Sequence, residues 1–384
     1  MAKTGSTSKD KAAPARSGGP VTPRETAWRW VTFGLCLVIV ILAVANAVTY
    51  SVMSERIGAT RSAANHLTVA PSFQPLRDFA VVNAHDHLYS RKYLPKYFEA
   101  AKRTGVVSTL FVASSEYTLH GSGGDAKKGN EANSREMLEA AREYPGKIIP
   151  FGTFHPSDPE KMDKLKQFVA DGAAGLKLYS GHGNFYDRPL DVEDMMPVYA
   201  YCAETGFPIC WHVNLLRYAA EFERVLSRFP DLKLIVPHFG VTFFRPKERP
   251  WREFQRMLDT YPNLYTDSSF GTREILVAGL ESVSRNPEIF RAFLEKYSDR
   301  VLFGTDMVVT GNKEKTEEWI EAVIRACRDV LEKETFYFFM GAKGSKYAAK
   351  GANNTYGIYR GLALSDDILR KIYETNIRRV IPSR

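Results

Sequence analysis

The chain has 384 residues, 44% of them hydrophobic and 25% charged, with 4 cysteines and a formal net charge of +8. This balance belongs to an ordinary globular protein and excludes collagen-like, mucin-like and wholly disordered chains, and so few cysteines exclude a disulfide-stapled scaffold. The positive charge does not mark a nucleic-acid partner: six Lys/Arg against two acids fall within residues 1–29, and the remainder is spread without a long basic run.

Residues 1–27 are rich in Ala, Ser, Thr, Gly, Pro and Lys and carry no apolar periodicity, the composition of a disordered basic tail. Residues 30–54 are 25 consecutive uncharged residues, and a spanning helix needs about 20. Trp28, Trp30 and Tyr50 suit membrane interfaces, and the basic tail favours a cytoplasmic N-terminus. Segment 28–54 is therefore expected to be a single transmembrane helix, placing the bulk of the chain in the periplasm or outside the cell. A signal peptide cleaved at Ala45-Asn46-Ala47 is the main alternative, and a buried core helix is a third. Residues 55–76 read as a linker, and 77–384 as the catalytic unit.

Behind the linker, short apolar runs alternate with amphipathic ones. Strands are expected at 79–84, 106–112, 147–152, 174–179, 207–212, 232–237, 263–267 and 300–304. Helices are expected near 93–104, 131–144, 159–171, 191–205, 215–229, 250–261, 285–297 and 314–333. Strand followed by helix, repeated eight times, predicts α/β architecture and a closed (β/α)8 TIM barrel. A doubly wound open sheet is the runner-up, and the first strand lacks its Gly-rich turn.

The chain has 8 histidines, and several fall at predicted strand ends. His85-Asp86-His87 follows the first strand, His212 closes the fifth, His238 follows the sixth, and Asp306 lies just after the eighth. That rim carries the active site of barrel enzymes. Strand side chains alternate faces, so His85 and His87 point the same way. Two imidazoles, a third from across the barrel and a carboxylate form a donor set suited to Zn²⁺ or another borderline divalent metal, with one position open to water.

The segments NAHDH, GLKLY, ICWH, IVPHFG, LFGTD and the terminal IYETNIRRVI resemble the amidohydrolase superfamily. The likeness is to its amidohydrolase-related group of metal-dependent barrels, which includes aminocarboxymuconate-semialdehyde decarboxylase-like enzymes, and it spans about residues 77–384. The resemblance implies that His85, His87, His212 and Asp306 ligate a divalent metal, most simply Zn²⁺. It implies that Asp306 also takes a proton from water, and that His238 polarises the reacting group or stabilises developing charge. Lys177 stays open between a carbamylated bridge to a second metal, a substrate-carboxylate partner and a snorkelling structural lysine. His182, Asn184, Arg188, Arg217 and Arg245 are weaker rim candidates for clamping an anion. His155 is divided between support of the site and packing, and His120 lies in a Gly-rich stretch that reads equally as a mobile lid or as plain disorder.

The expected activity is hydrolysis of a small amide, ester or lactone by metal-activated water. A non-oxidative decarboxylase on the same scaffold and a non-catalytic binding barrel are the alternatives, and a homo-oligomer stays open.

Overall fold

Eight short apolar segments, too brief to be helices and spaced by amphipathic stretches, pair in sequence order. The computed structural model of the protein describes residues 75–114, 129–182, 185, 188–243, 245–271, 274–339 and 356–381. Strands β1 (Val81–His87), β2 (Val106–Val112), β3 (Ile148–Thr153), β4 (Gly175–Leu178), β5 (Ile209–Trp211), β6 (Leu234–Val236), β7 (Leu264–Asp267) and β8 (Val301–Leu302) form one parallel sheet in the order 1 to 8. Helices α1 (Leu94–Arg103), α2 (Asn130–Glu143), α3 (Lys161–Ala170), α4 (Met196–Thr205), α5 (Leu215–Arg228) and α6 (Arg249–Thr260) form the crossovers as far as β7. Helices α7 (Glu274–Arg285) and α8 (Pro287–Lys296) precede β8, and α9 (Glu317–Glu332) follows it. The seam between β8 and β1 is drawn together by Ala84 N donating to Phe303 O (2.6 Å) and Asp306 N to His85 O (2.9 Å). The (β/α)8 barrel expected from the sequence is the observed fold, nearly closed.

Alternation along the strands separates two cores. Leu176, Leu178, Ile209, Trp211, Leu234 and Val236 face outward and pack beneath the helices. Cys210, Ile235, Tyr265 and Leu302 point into the barrel with Phe151 and Ala84, and Ile377 and Val380 of the C-terminal helical segment join them. Period-2 geometry then dictates that Lys177, His212 and Asp267, in step with Cys210 or Tyr265, also enter the barrel. In β1 the register shifts between Asn83 and Asp86. Such an irregularity re-aims side chains, and here His85 reaches the interior beside the inward Ala84.

Two stretches differ from expectation. The single helix expected at 285–297 is the second of a pair, α7 and α8, interrupted at Asn286-Pro287 because proline has no N–H to continue the ladder and suits a helix start. Beyond α9, β9 (Thr335–Phe339) and β10 (Tyr356–Arg360) pair antiparallel outside the barrel.

The membrane placement is corrected. Among the described residues no helix is long and apolar enough to cross a membrane. The longest, α9, has 16 residues, about 24 Å of rise against a hydrocarbon core of about 30 Å. A single-pass membrane protein with a cytoplasmic N-terminus and a periplasmic or extracellular barrel is therefore not supported. The segment 28–54, the tail 1–27 and most of the linker lie outside the described residues.

Candidate metal centre

Strand β1 is fastened to the loop after β8 before any reactive group is placed. Asn83 Nδ2 donates to Thr305 Oγ1 (2.8 Å) and to Tyr97 Oη (3.0 Å), and Thr305 N donates to Asn83 Oδ1 (3.1 Å). Asp86 accepts from Thr305 Oγ1 (2.8 Å) and from Val308 N (3.0 Å). These bonds hold the 305–308 turn, where Asp306 and Val308 adopt left-handed backbone at φ +46° and +59°. A non-glycine residue keeps such a conformation only where its surroundings impose it, and the consequence is that the Asp306 carboxylate faces the barrel mouth.

Three imidazoles meet that carboxylate. His87 Nε2 lies 3.3 Å and His85 Nε2 3.8 Å from Asp306 Oδ1, and His238 Nε2 lies 3.4 Å from Oδ2. The other ring nitrogens are engaged elsewhere: His85 Nδ1 with Asp267 Oδ2 (2.9 Å), His87 Nδ1 with Ser114 Oγ (3.2 Å), and His238 Nδ1 with Ser269 Oγ (2.8 Å). Asp306 Oδ1 is buried and has no hydrogen-bond partner among the described residues. Ligand atoms of His85, His238 and Asp306 all lie within 4.8 Å of one another. Converging imidazole nitrogens around an unsatisfied buried carboxylate oxygen fit a borderline divalent cation, because a group so costly to leave unpaired requires a positive partner.

His238, given a catalytic role by the resemblance, stands with His85 and Asp306 in that group. His87 lies beside it, 3.3 Å from Asp306. The His212 ring lies 5.2 Å from the His238 ring and 4.6 Å from that of His182. Gly181 leaves room for the His212 ring, which a Cβ added there would strike. Gly181→Ala is expected to displace the His212 ring and weaken metal binding by about 10–100-fold, the loss typical when an outer support of a metal site is removed. Metal titration with competing chelators measures this, and unchanged affinity would separate His212 from the centre.

Lys177 lies within β4 fully buried, with Nζ 3.3 Å from His85 Nε2 and 3.5 Å from Cys210 Sγ. Among the described residues it forms no ion pair with a carboxylate. Arg188 is not an available clamp: its guanidinium grips both oxygens of Asp194 (2.6 and 2.7 Å) and donates to Pro156 O. The exposed Arg217 lies over the Tyr218 ring, and Arg245 pairs with Glu248. His155 stacks on Phe185. Cys202, Cys210 and Cys327 are buried free thiols. Asn184, His120 and Cys36 lie outside the described residues.

Sequence reasoning missed Asp267. It carries no motif, and it acts through His85, 182 residues away. Its only signal was an acid closing a strand on the reactive rim. Ser114 and Ser269 were missed for the same reason, and Asn83 was passed over inside NAHDH because its bonds to Thr305 are made only in the fold.

Burial pushes His87 down to about 4 and holds His212 and His238 below the ordinary histidine value. Burial opposes ionisation of Asp306, but the facing imidazoles of His85, His87 and His238 outweigh it and hold the carboxyl well below its usual range. His87, His212 and His238 are therefore neutral and Asp306 is an anion at neutral pH, the protonation states that metal ligation needs. Chelator-treated protein is expected to lose stability on acidification. Between pH 6.5 and 4 the unfolded chain protonates the histidine at 87 while the folded one does not, about 3 kcal/mol for this residue alone. Asp86, raised to about 6 by burial, takes up its proton earlier in the folded state and acts in the opposite sense. His212 and His238 add to the loss and set the net direction. Urea unfolding at pH 7, 6 and 5 measures the slope, and stability that rises toward pH 5 contradicts this charge assignment.

A family model described as Amidohydrolase matches residues 82–382. No curated protein matches the chain. Among solved structures, a probable 2-pyrone-4,6-dicarboxylic acid hydrolase from Acinetobacter baumannii is 11% identical, with 79% of this chain and 99% of that one covered, at a TM-score of 0.53. An amidohydrolase from Burkholderia multivorans is 12% identical over 79% of this chain and 100% of that one, at 0.50. An uncharacterized TIM-barrel protein from Bordetella bronchiseptica is 15% identical over 78% and 97%, at 0.50. At these identities the likeness is one of fold.

Proposed function

We propose, from the premise that this chain belongs to the amidohydrolase family, that it is a metal-dependent hydrolase of a small amide, ester or lactone. One observation carries the reading: imidazoles of β1 and of the turn after β6 converge on a buried Asp306 carboxylate with an unsatisfied oxygen. His85, His87 and Asp306 would hold the ion, with His212 as a further candidate ligand and His238 kept for proton transfer. Zn²⁺ suits this nitrogen-rich, borderline donor set. A divalent ion supplies Lewis acidity there, making water acidic near neutral pH and polarising a carbonyl.

The chain's own groups handle the proton. Asp306, held ionised, accepts it from the attacking water at a carboxylate oxygen. His238 Nε2, 3.4 Å from Oδ2, relays it to the leaving group, so the proton lost by water arrives on the departing nitrogen or oxygen. The backbone bond from His238 N to Asp267 Oδ1 (3.0 Å) keeps that ring in place during transfer.

Lys177 favours a second reading. A buried lysine that forms no ion pair with a carboxylate among the described residues suits a substrate carboxylate, which a non-oxidative decarboxylase on the same barrel also requires. A panel of esters, lactones, amides and aromatic carboxylic acids assayed in ¹⁸O-water separates the two. Hydrolysis places one ¹⁸O in the product acid and depends on the metal. Release of CO₂ without ¹⁸O in the remaining product supports the decarboxylase, and turnover unaffected by chelation overturns both.

A further inference from the structure

The turn that aims Asp306 is held to the end of β1 mainly through its N–H groups. Asp306 N donates to His85 O (2.9 Å), Val309 N to His87 O (2.8 Å), and Val308 N to Asp86 Oδ1 (3.0 Å). The two carbonyls that follow the aspartate, Met307 O and Val308 O, are not taken by β1 amides among the described residues. Both are taken by one side chain instead: Lys315 Nζ donates to Met307 O (2.6 Å) and to Val308 O (2.5 Å). Lys315 and Met307 are buried, so bulk water does not stand in for that donor. A buried carbonyl left without one costs free energy comparable to a lost hydrogen bond.

Lys315 is itself fixed at the entry to α9. The next residue, Thr316, caps that helix by accepting Trp319 N at its hydroxyl (3.2 Å). Lys315 N donates to Asn312 O (3.0 Å). Lys315 O accepts from Lys96 Nζ (2.8 Å), which reaches over from α1 and also donates to Thr310 O (2.9 Å). The side chain therefore reaches back to the turn from a backbone secured by two helices.

We propose that Lys315 is a positioning residue for Asp306, clamping the carbonyl side of the 305–308 turn so that the carboxylate faces the barrel mouth. Asp86 holds the N–H side of the same turn through Thr305 Oγ1 and Val308 N. The left-handed backbone at Asp306 and Val308 is thus imposed from two directions, by side chains bonded to the neighbours of the aspartate. This role rests on the metal-centre reading only for its effect on ion affinity, because the clamp itself consists of hydrogen bonds to the backbone.

Hydrogen exchange of full-length, chelator-treated protein, read by mass spectrometry over peptides spanning 303–312, tests the clamp in Lys315→Met and Lys315→Arg. Lys315→Met keeps an unbranched stem and removes the donor. Its amides at 305–309 are expected to exchange about tenfold faster or more, since two buried carbonyls must then open to water, while β4 to β7 exchange as in the wild type. Zn²⁺ affinity is expected to fall about 10–100-fold, as when an outer support of a metal site is lost. The visible absorption spectrum of the Co²⁺-loaded protein is expected to change as the carboxylate leaves its place. Lys315→Arg keeps N–H donors and is expected to restore exchange, affinity and spectrum toward the wild type. Wild-type exchange at 305–309 in folded Lys315→Met, or equal defects in the Met and Arg variants, overturns the proposal. If Lys315→Met does not fold, Lys96→Met carries the decision: it releases Lys315 O and is expected to quicken exchange at 305–309, and unchanged exchange there overturns the proposal. Faster exchange in Lys315→Met of a protein that binds no Zn²⁺ would uphold the clamp while removing the metal-centre reading.

Discussion

Asp306→Asn is expected to lower kcat by about 10²–10⁴-fold, the contribution of a positioned general base, on whichever ester, lactone or amide the enzyme turns over. The substitution suits the question because Asn, like Asp, tolerates left-handed backbone, and Asp306 sits at φ +46°. Ala at this position would add strain unrelated to chemistry. Asn keeps the volume and one oxygen but removes the charge that three imidazoles face and the capacity to take a proton from water. Melting temperature is expected to change little, since the hydrogen bond from Asp306 N to His85 O is a backbone contact. A variant that retains metal and loses less than tenfold in kcat would place the base elsewhere.

His85→Ala is expected to combine a binding defect with a folding defect. It deletes a nitrogen at the centre of the converging group and leaves Asp267 Oδ2 without its 2.9 Å partner. A buried carboxylate deprived of a hydrogen-bonding partner costs about 1–3 kcal/mol, and more where the charge stays uncompensated. The cavity left by the imidazole adds to that loss. Metal affinity is expected to fall by more than the roughly 10–100-fold that loss of an outer support produces. Adding Asp267→Ala to His85→Ala removes the stranded anion, and is expected to recover part of the stability and none of the affinity. Chemical denaturation and competitive metal titration measure the two effects separately. Independent, additive losses would show that Asp267 and His85 do not act as a pair.

The barrel was legible because eight inward–outward alternating segments recur with amphipathic helices between them, a pattern that local sequence carries. His85, His87, His238 and Asp306 were legible because they fall at strand ends. Strand parity accounts for the inward direction of Lys177 and His212. The supports of these side chains were not legible. Gly181 leaves room for the His212 ring, and His238 sits on left-handed backbone bound to Asp267. Both depend on neighbours brought in by tertiary contact. Asp267 itself looks like an ordinary strand end until β1 closes against it. The β9–β10 hairpin was missed because its partners, 335–339 and 356–360, are separated by a long connection without a hairpin turn signal.

The central claim is that Asp306 and the imidazoles around it hold a divalent ion. Elemental analysis of the purified full-length protein, performed alongside Asp306→Asn and His85→Ala, tests it most directly. We expect about one divalent ion per chain in the wild type and sharply reduced occupancy in both variants. A wild-type protein that takes up no ion from Zn²⁺- or Mn²⁺-supplemented buffer, or equal occupancy in all three proteins, would contradict the account.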